Sequence, residues 1–172
     1  MAHELVTVCL PPDAHRDLRA ALEEAMAPFD MNGDPAPREG EWDHWWIGRS
    51  GDVFDVHPGH EDDPRLVRAL VDSFGEPREW VPGTCDGGPR GLLDFAGMRT
   101  RAARLASQFG IPFNQRTPKR VVATENLLTL DGTWIYHDDQ VPRAGMGYVE
   151  FANSYLDELA PETMVVRLRI HC

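Results

Sequence analysis

The sequence predicts a single α+β domain spanning residues 1–172, with a mostly antiparallel sheet of roughly five or six strands and about four helices. Three observations carry this reading. Two β-branched, apolar runs stand at opposite ends of the chain, ELVTVCL at 4–10 and TMVVRLRIHC at 163–172. Between them lie segments whose apolar residues recur three and four apart, the spacing of an amphipathic helix. Strand-like runs also follow one another without regular β–α alternation, which disfavours a parallel sheet. A ferredoxin-like or related two-layer sandwich is the expected topology. With 172 residues, 42% of them hydrophobic and 26% charged, the chain is long enough to bury one core without covalent staples.

The elements follow in order. The run at 4–10 ends at Pro11 and Pro12, which stop a strand. Asp13 is placed to cap a helix reaching Phe29, with Leu18, Leu22, Ala25, Met26 and Phe29 on one face and Arg16, Arg19, Glu23 and Glu24 on the other. Residues 30–41, rich in Gly, Pro, Asp and Asn, read as a surface loop. WDHWWIG and DVFDVHP then suggest two strands joined around Arg49-Ser50-Gly51 as a hairpin. Residues 62–75 predict a helix, with Asp62 or Asp63 at its start, Pro64 in the first turn, a stripe of Leu66, Val67, Leu70, Val71 and Phe74, and Gly75 as the stop. Residues 76–91 carry too much Pro and Gly for a regular element. Asp94 opens a helix to Gln108 or Phe109, on the spacing of Phe95, Met98, Ala102, Leu105 and Phe109, with Gly110 at its end. RVVATENLLTL, Asp131-Gly132 and TWIYH read as strand, turn and strand. A helix with Tyr148, Phe151, Ala152, Tyr155 and Leu159 on one face precedes the closing strand, in which Val166, Leu168 and Ile170 alternate with Arg167, Arg169 and His171.

Charge and cysteine usage narrow the function classes. A formal net charge of -11 disfavours a general duplex nucleic-acid binder, because phosphate binding rests on clustered Lys and Arg. It favours a chain that stays monomeric or homodimeric. Cys9, Cys85 and Cys172 show neither CxxC nor zinc-ribbon spacing, so no disulfide framework is expected. No basic leader with a long apolar core opens the chain, and no run approaches the roughly 20 apolar residues that span a bilayer. A cytoplasmic location without membrane insertion is the expectation.

Four constellations have a chemistry to offer. Asp55, His57, His60 and, from a distance, His137 are candidate ligands for Zn or Mn, since imidazole and carboxylate suit such ions and a bound water would serve a hydrolase. The competing reading of HPGHEDD is a solvated loop whose acids start the next helix. Trp42, Trp45 and Trp46, with Asp43 and Arg49, offer either core or a ligand platform; strand alternation places Trp42, His44 and Trp46 on one face and Asp43, Trp45 and Ile47 on the other. Cys85 lies among glycines whose amides suit an oxyanion, but there is no GxSxG elbow. Arg90, Arg99, Arg101, Arg104, Arg116, Lys119 and Arg120 face a single acid, Asp94, between residues 89 and 120. That patch suits a nucleotide or nucleic acid, or neutralisation by the acidic stretch at 52–63. P-loop and GxGxxG motifs are missing from the sequence.

MAPFDMNGD followed by EWDHWWIGRSG, then LLDFAGMR, LLTLDGTWIYHDD and LDELAPETMVVRLRIHC, resembles a group of small proteins of actinobacteria and their phages. In that group a PFD block precedes a Trp-Asp-Trp/Tyr segment and a Gly-Gly-Arg-Trp sequence. The matching positions are Pro28, Phe29, Asp30, Trp42, Asp43, Trp45, Ile47, Gly48 and Arg49, then Asp94, Phe95, Gly97 and Met98, then Asp131, Gly132, Trp134, Pro161 and Thr163. Here Gly-Gly-Arg-Trp is shortened to Gly48-Arg49-Ser50-Gly51. The resemblance implies a phage- or mobile-element-linked role, and it moves weight from HPGHEDD to the Trp42–Arg49 block. The expectation is a small binding or interaction protein whose contact surface includes Trp42, Asp43, Trp45 and Arg49, meeting a protein or small-molecule partner. A metal-dependent hydrolase and an Arg99–Arg104 nucleotide or nucleic-acid site stand as alternatives.

Overall fold

The structure is a computed structural model that describes residues 3–33, 41–48, 52–72, 74–110 and 122–172. In chain order the elements are β1 (His3–Leu10), α1 (Leu18–Met26), β2 (His44–Ile47), β3 (Phe54–Asp55), β4 (Thr84–Cys85), β5 (Gly87–Pro89), α2 (Phe95–Gln108), β6 (Asn126–Leu128), β7 (Trp134–Tyr136), α3 (Tyr148–Glu158) and β8 (Met164–His171). Short 3-10 segments at Pro12–Asp17, Ala27–Phe29 and Arg90–Leu92 flank the helices.

β1 and β8 run antiparallel along their whole length, from His3 opposite His171 to Leu10 opposite Met164. The first and last strands therefore form the middle of one sheet. Beyond β1 lie β6, parallel to it, and β7, antiparallel to β6. The free edge of β8 is shared by two short antiparallel strands: β2 lies against residues 168–171 and β5 against residues 164–166. β3 and β4 make a separate small ladder.

Strand alternation sends side chains to two cores. Val6, Val8 and Leu10 of β1 and Met164, Val166, Leu168 and Ile170 of β8 pack with Leu22 and Met26 of α1. Cys9, Val165, Leu127 and Ile135 point the other way, to Phe95 and Met98 of α2 and Phe151 and Leu156 of α3. Leu22 and Leu156 are wholly buried, each a gain of about 1.5–3 kcal/mol. Helices thus cover both faces of a mixed, mostly antiparallel sheet, in place of the expected two-layer, ferredoxin-like sandwich. The α+β class is as expected; three α-helices are described.

Local signals account for the helix starts. Asp94 caps α2 by accepting the Gly97 N–H at 2.9 Å. Asp17, and not Asp13, caps α1 by accepting the Ala20 N–H. The predicted helix at 62–75 is not formed: turns and isolated bridges occupy its place. Amides that such a helix would pair internally go elsewhere, Val67 N–H to Gly87 O, Ala69 N–H to Asp86 and Phe74 N–H to Asp72; Asp63 accepts the Arg65 N–H as a helix cap would, with no helix following. β2 and β3 do not pair as the predicted hairpin, since β2 pairs with β8 and β3 with β4, and its expected turn at Arg49-Ser50-Gly51 lies outside the described residues. Asp131-Gly132 does turn β6 into β7, with Gly132 at φ +85°. Of the strand expected at 120–130 only Asn126–Leu128 is extended and paired, and residues 120–121 lie outside the described residues.

Candidate functional site

The tryptophan block divides between core and surface. Trp45 faces α1, buried beneath the Arg19 guanidinium, which lies 4.6 Å from its ring centroid. Trp42 precedes the strand, so alternation does not govern it; it packs against the same core and donates its indole N–H to Met26 O at 3.0 Å. Trp46 takes the opposite face, half-buried, with His44 edge-on against it. Asp43 is exposed, and its Oδ1 lies 2.6 Å from His171 Nδ1. Arg49 lies outside the described residues.

Beside Trp46 the segment after Val67 folds back on itself. Arg78 N–H donates to Leu70 O and Asp72 N–H to Glu76 O, which brings Phe74 to the tip. Arg169 joins the two features: its guanidinium carbon lies 5.9 Å from the Trp46 ring centroid and 5.2 Å from that of Phe74. Leu70 is 83% exposed, Phe74 77% and Val81 67%, with Val71 also exposed. Isolated exposed apolar residues are ordinary, but four within twelve positions is the pattern of a contact surface.

A buried ion pair holds this apolar loop from below. Asp86, between β4 and β5, is 0% exposed and takes Arg78 Nη1 on both oxygens, at 2.8 and 2.7 Å, with the Ala69 N–H at 2.8 Å. Arg78 also stacks 4.0 Å from the Trp80 ring, whose indole N–H donates to Ala69 O. Burial raises the Asp86 carboxyl above its usual range, against the lowering effect of the Ala69 N–H and Arg78. Gly48, just after β2, presses on this carboxylate: a Cβ there would clash with Asp86 Oδ1. Arg78 and Asp86 carry no local signature; in PREW and CDGGP they read as loop polarity, and only the chain crossing makes them a pair.

Arg167 and Arg169 are the other buried charges that alternation assigned to the outer face of a closing strand. β8 is central, so that face is covered. Arg167 is 3% exposed, donates to Val122 O at 2.9 Å and lies 4.2 Å from the Phe54 ring. Burial pushes its guanidinium down to about 10, partly offset by the charge of Asp52.

The proposed metal ligands are not brought together. Asp55 is paired with Arg101, His57 Nδ1 lies 3.7 Å from Asp94, His60 is exposed in the turn, and His137 lies by Tyr148 and Arg99. Among the described residues no three His, Cys, Asp or Glu side chains form a metal cluster. Within the basic stretch Arg99 is paired with Asp157 and Arg101 with Asp55, and Arg90 donates to the carbonyls of Leu156 and Asp157, while Arg116, Lys119 and Arg120 lie outside the described residues. Cys85 is buried, and desolvation pushes its thiol up to about 12. No described helix is long and apolar enough to cross a membrane. Comparison of the chain with family models, with curated proteins and with solved structures gave no match.

Proposed function

We propose that this protein works by binding a basic partner protein through the surface formed by Trp46, His44 and the apolar loop Leu70–Val81. The observation that carries this reading is the exposure of Leu70 and Phe74 on a segment fixed to the sheet by an ion pair to the buried Asp86. Exposed apolar side chains on an anchored loop lose little conformational entropy on docking, which favours affinity. The net charge of -11 opposes self-association and steers a positively charged partner. The resemblance to actinobacterial and phage proteins supports a phage- or mobile-element-linked setting for this interaction, and the cytoplasm is the compartment we propose. Trp42 and Trp45 support the surface from the core side, and Asp43 lies at its margin.

The test is site-specific photo-crosslinking in cells, with the reactive group at position 74 or 70 and, as a control, at Arg143 beside α3. A discrete adduct with a basic protein from 70 and 74, lacking from 143, is expected, and the adduct from 74 is lost on Leu70→Asp. The same adducts from all three sites, or none from 70 and 74, would overturn the reading.

A further inference from the structure

The C-terminal ends of the two parallel strands, β1 and β6, open on a groove of 620 Å³ between α1 and the β6–β7 turn. In sheets with parallel strands this is where chain segments diverge and leave a crevice. Ala21 and Ala25 offer its apolar surface, over the buried Leu10 and Leu128. Its rim is acidic on both walls: Asp13, Asp17 and Glu24 on the α1 side, and Asp131 on the turn. Among the described residues Arg16 is the one basic residue in the lining.

Several details mark a receptive surface. Asp17 and Glu24 are separated by two helical turns, about 10 Å, so the carboxylates form a row. Among the described residues neither Asp13 nor Glu24 has an ion-pair partner, whereas Arg19 and Glu23 pair with each other nearby. The Thr129 hydroxyl bonded to Asp131 holds that carboxyl below its usual range, which keeps its charge. Leu130, 45% exposed, stands on the ridge between this groove and a second hollow of 470 Å³ that reaches Phe151 and Tyr155. Tyr155 OH accepts the Leu130 N–H at 2.9 Å, which fixes the ridge.

We propose that this groove binds a basic peptide segment of a partner protein, seating one apolar side chain over Ala21 and Ala25 while Lys or Arg side chains meet carboxylates on both walls. The small alanine side chains leave the room that the anchor fills, and the acids discriminate against neutral or acidic segments. The site lies on the α1 side of the sheet and does not depend on the Leu70–Val81 surface.

Fluorescence anisotropy with two labelled probes tests it: a peptide of lysines flanking leucine, and the same peptide with serine in place of leucine. Burial of the leucine is expected to tighten binding about tenfold over the serine probe. Asp13→Asn with Glu24→Gln weakens both probes, while the remote pair Asp62→Asn with Glu150→Gln leaves them unchanged. Ala21→Phe fills the groove with every charge retained and abolishes the preference for leucine; thermal melting confirms that each variant is folded. Equal affinity for the two probes, equal loss from the remote pair, or an undiminished leucine preference in Ala21→Phe would each overturn the proposal. Loss of crosslinking at position 74 bears only on the other surface.

Discussion

Replacing Arg78 by methionine keeps most of the side chain's volume and removes its charge, leaving the Asp86 carboxylate buried with only the Ala69 N–H. The pair is enclosed, with side-chain exposures of 6% and 0%. At an effective dielectric constant of about 20, two charges some 3 Å apart attract by roughly 5 kcal/mol, much of which offsets desolvation. Breaking such a pair from one side costs about 3–5 kcal/mol, because the remaining charge is stranded. For a chain of this length that is a fall in Tm of about 10 °C, read by calorimetry. Asp86→Asn combined with Arg78→Met removes both charges and retains an acceptor for Ala69, so the double variant is expected to lose about 2 kcal/mol less than the sum of the singles. The pH dependence has a definite sign. A carboxyl whose folded pKa is raised contributes most to stability at acid pH, and that contribution is lost as pH rises through the folded value. Burial already raises Asp86, and loss of Arg78 raises it further, so the deficit of Arg78→Met against the parent chain shrinks as pH is lowered from 7 towards 5. Additive singles, or a deficit that does not change with pH, would refute this account of the anchor.

Gly48→Ala should cost several kcal/mol, because Gly48 has φ +65° and the new methyl would meet the Asp86 carboxylate; Gly132→Ala, at φ +85° with open space around it, should cost only about 1 kcal/mol. Denaturant titration separates the two, and equal losses would contradict the described packing. A thiol reagent at mildly alkaline pH should label Cys172 alone in the folded protein and all three cysteines after unfolding, since Cys9 and Cys85 are buried and hard to ionise. Fast labelling of Cys85 in the native state would count against its placement. His57→Ala with His60→Ala should leave elemental analysis unchanged, along with melting in EDTA, Zn²⁺ or Mn²⁺; a shift of several degrees or one bound metal per chain lost in the variant would restore the metal reading.

How much could be read in advance depends on whether a residue's neighbours are local. β1, α2, α3, β8 and the turn at Asp131-Gly132 were legible because apolar period, capping by Asp94 and a glycine turn act within a few residues. The helix expected at 62–75 had the right period, yet Asp72 and Asp86 supply competing acceptors for its amides and Gly87 supplies a strand partner. Leu70 and Phe74 consequently stand in solvent, and the surface proposed for binding coincides with this departure from local rules. The Trp block was legible as partly structural. Which tryptophan stayed near the surface was not, because it depends on the strand starting at His44 and not at Trp42.

The sequence by itself determined the α+β class, the principal helices, the two long strands and the acidic character of the molecule, all consequences of short-range pattern and composition. Only the tertiary structure decided that β1 and β8 form the centre of the sheet and that helices cover both its faces. It also decided that Arg167, Arg169, Arg78 and Asp86 are interior charges and that the candidate metal ligands stay apart. The reason is physical: periodicity reports that a face is buried, whereas the identity of what buries it is set by pairings between segments as distant as β1 and β8, on which no local propensity bears.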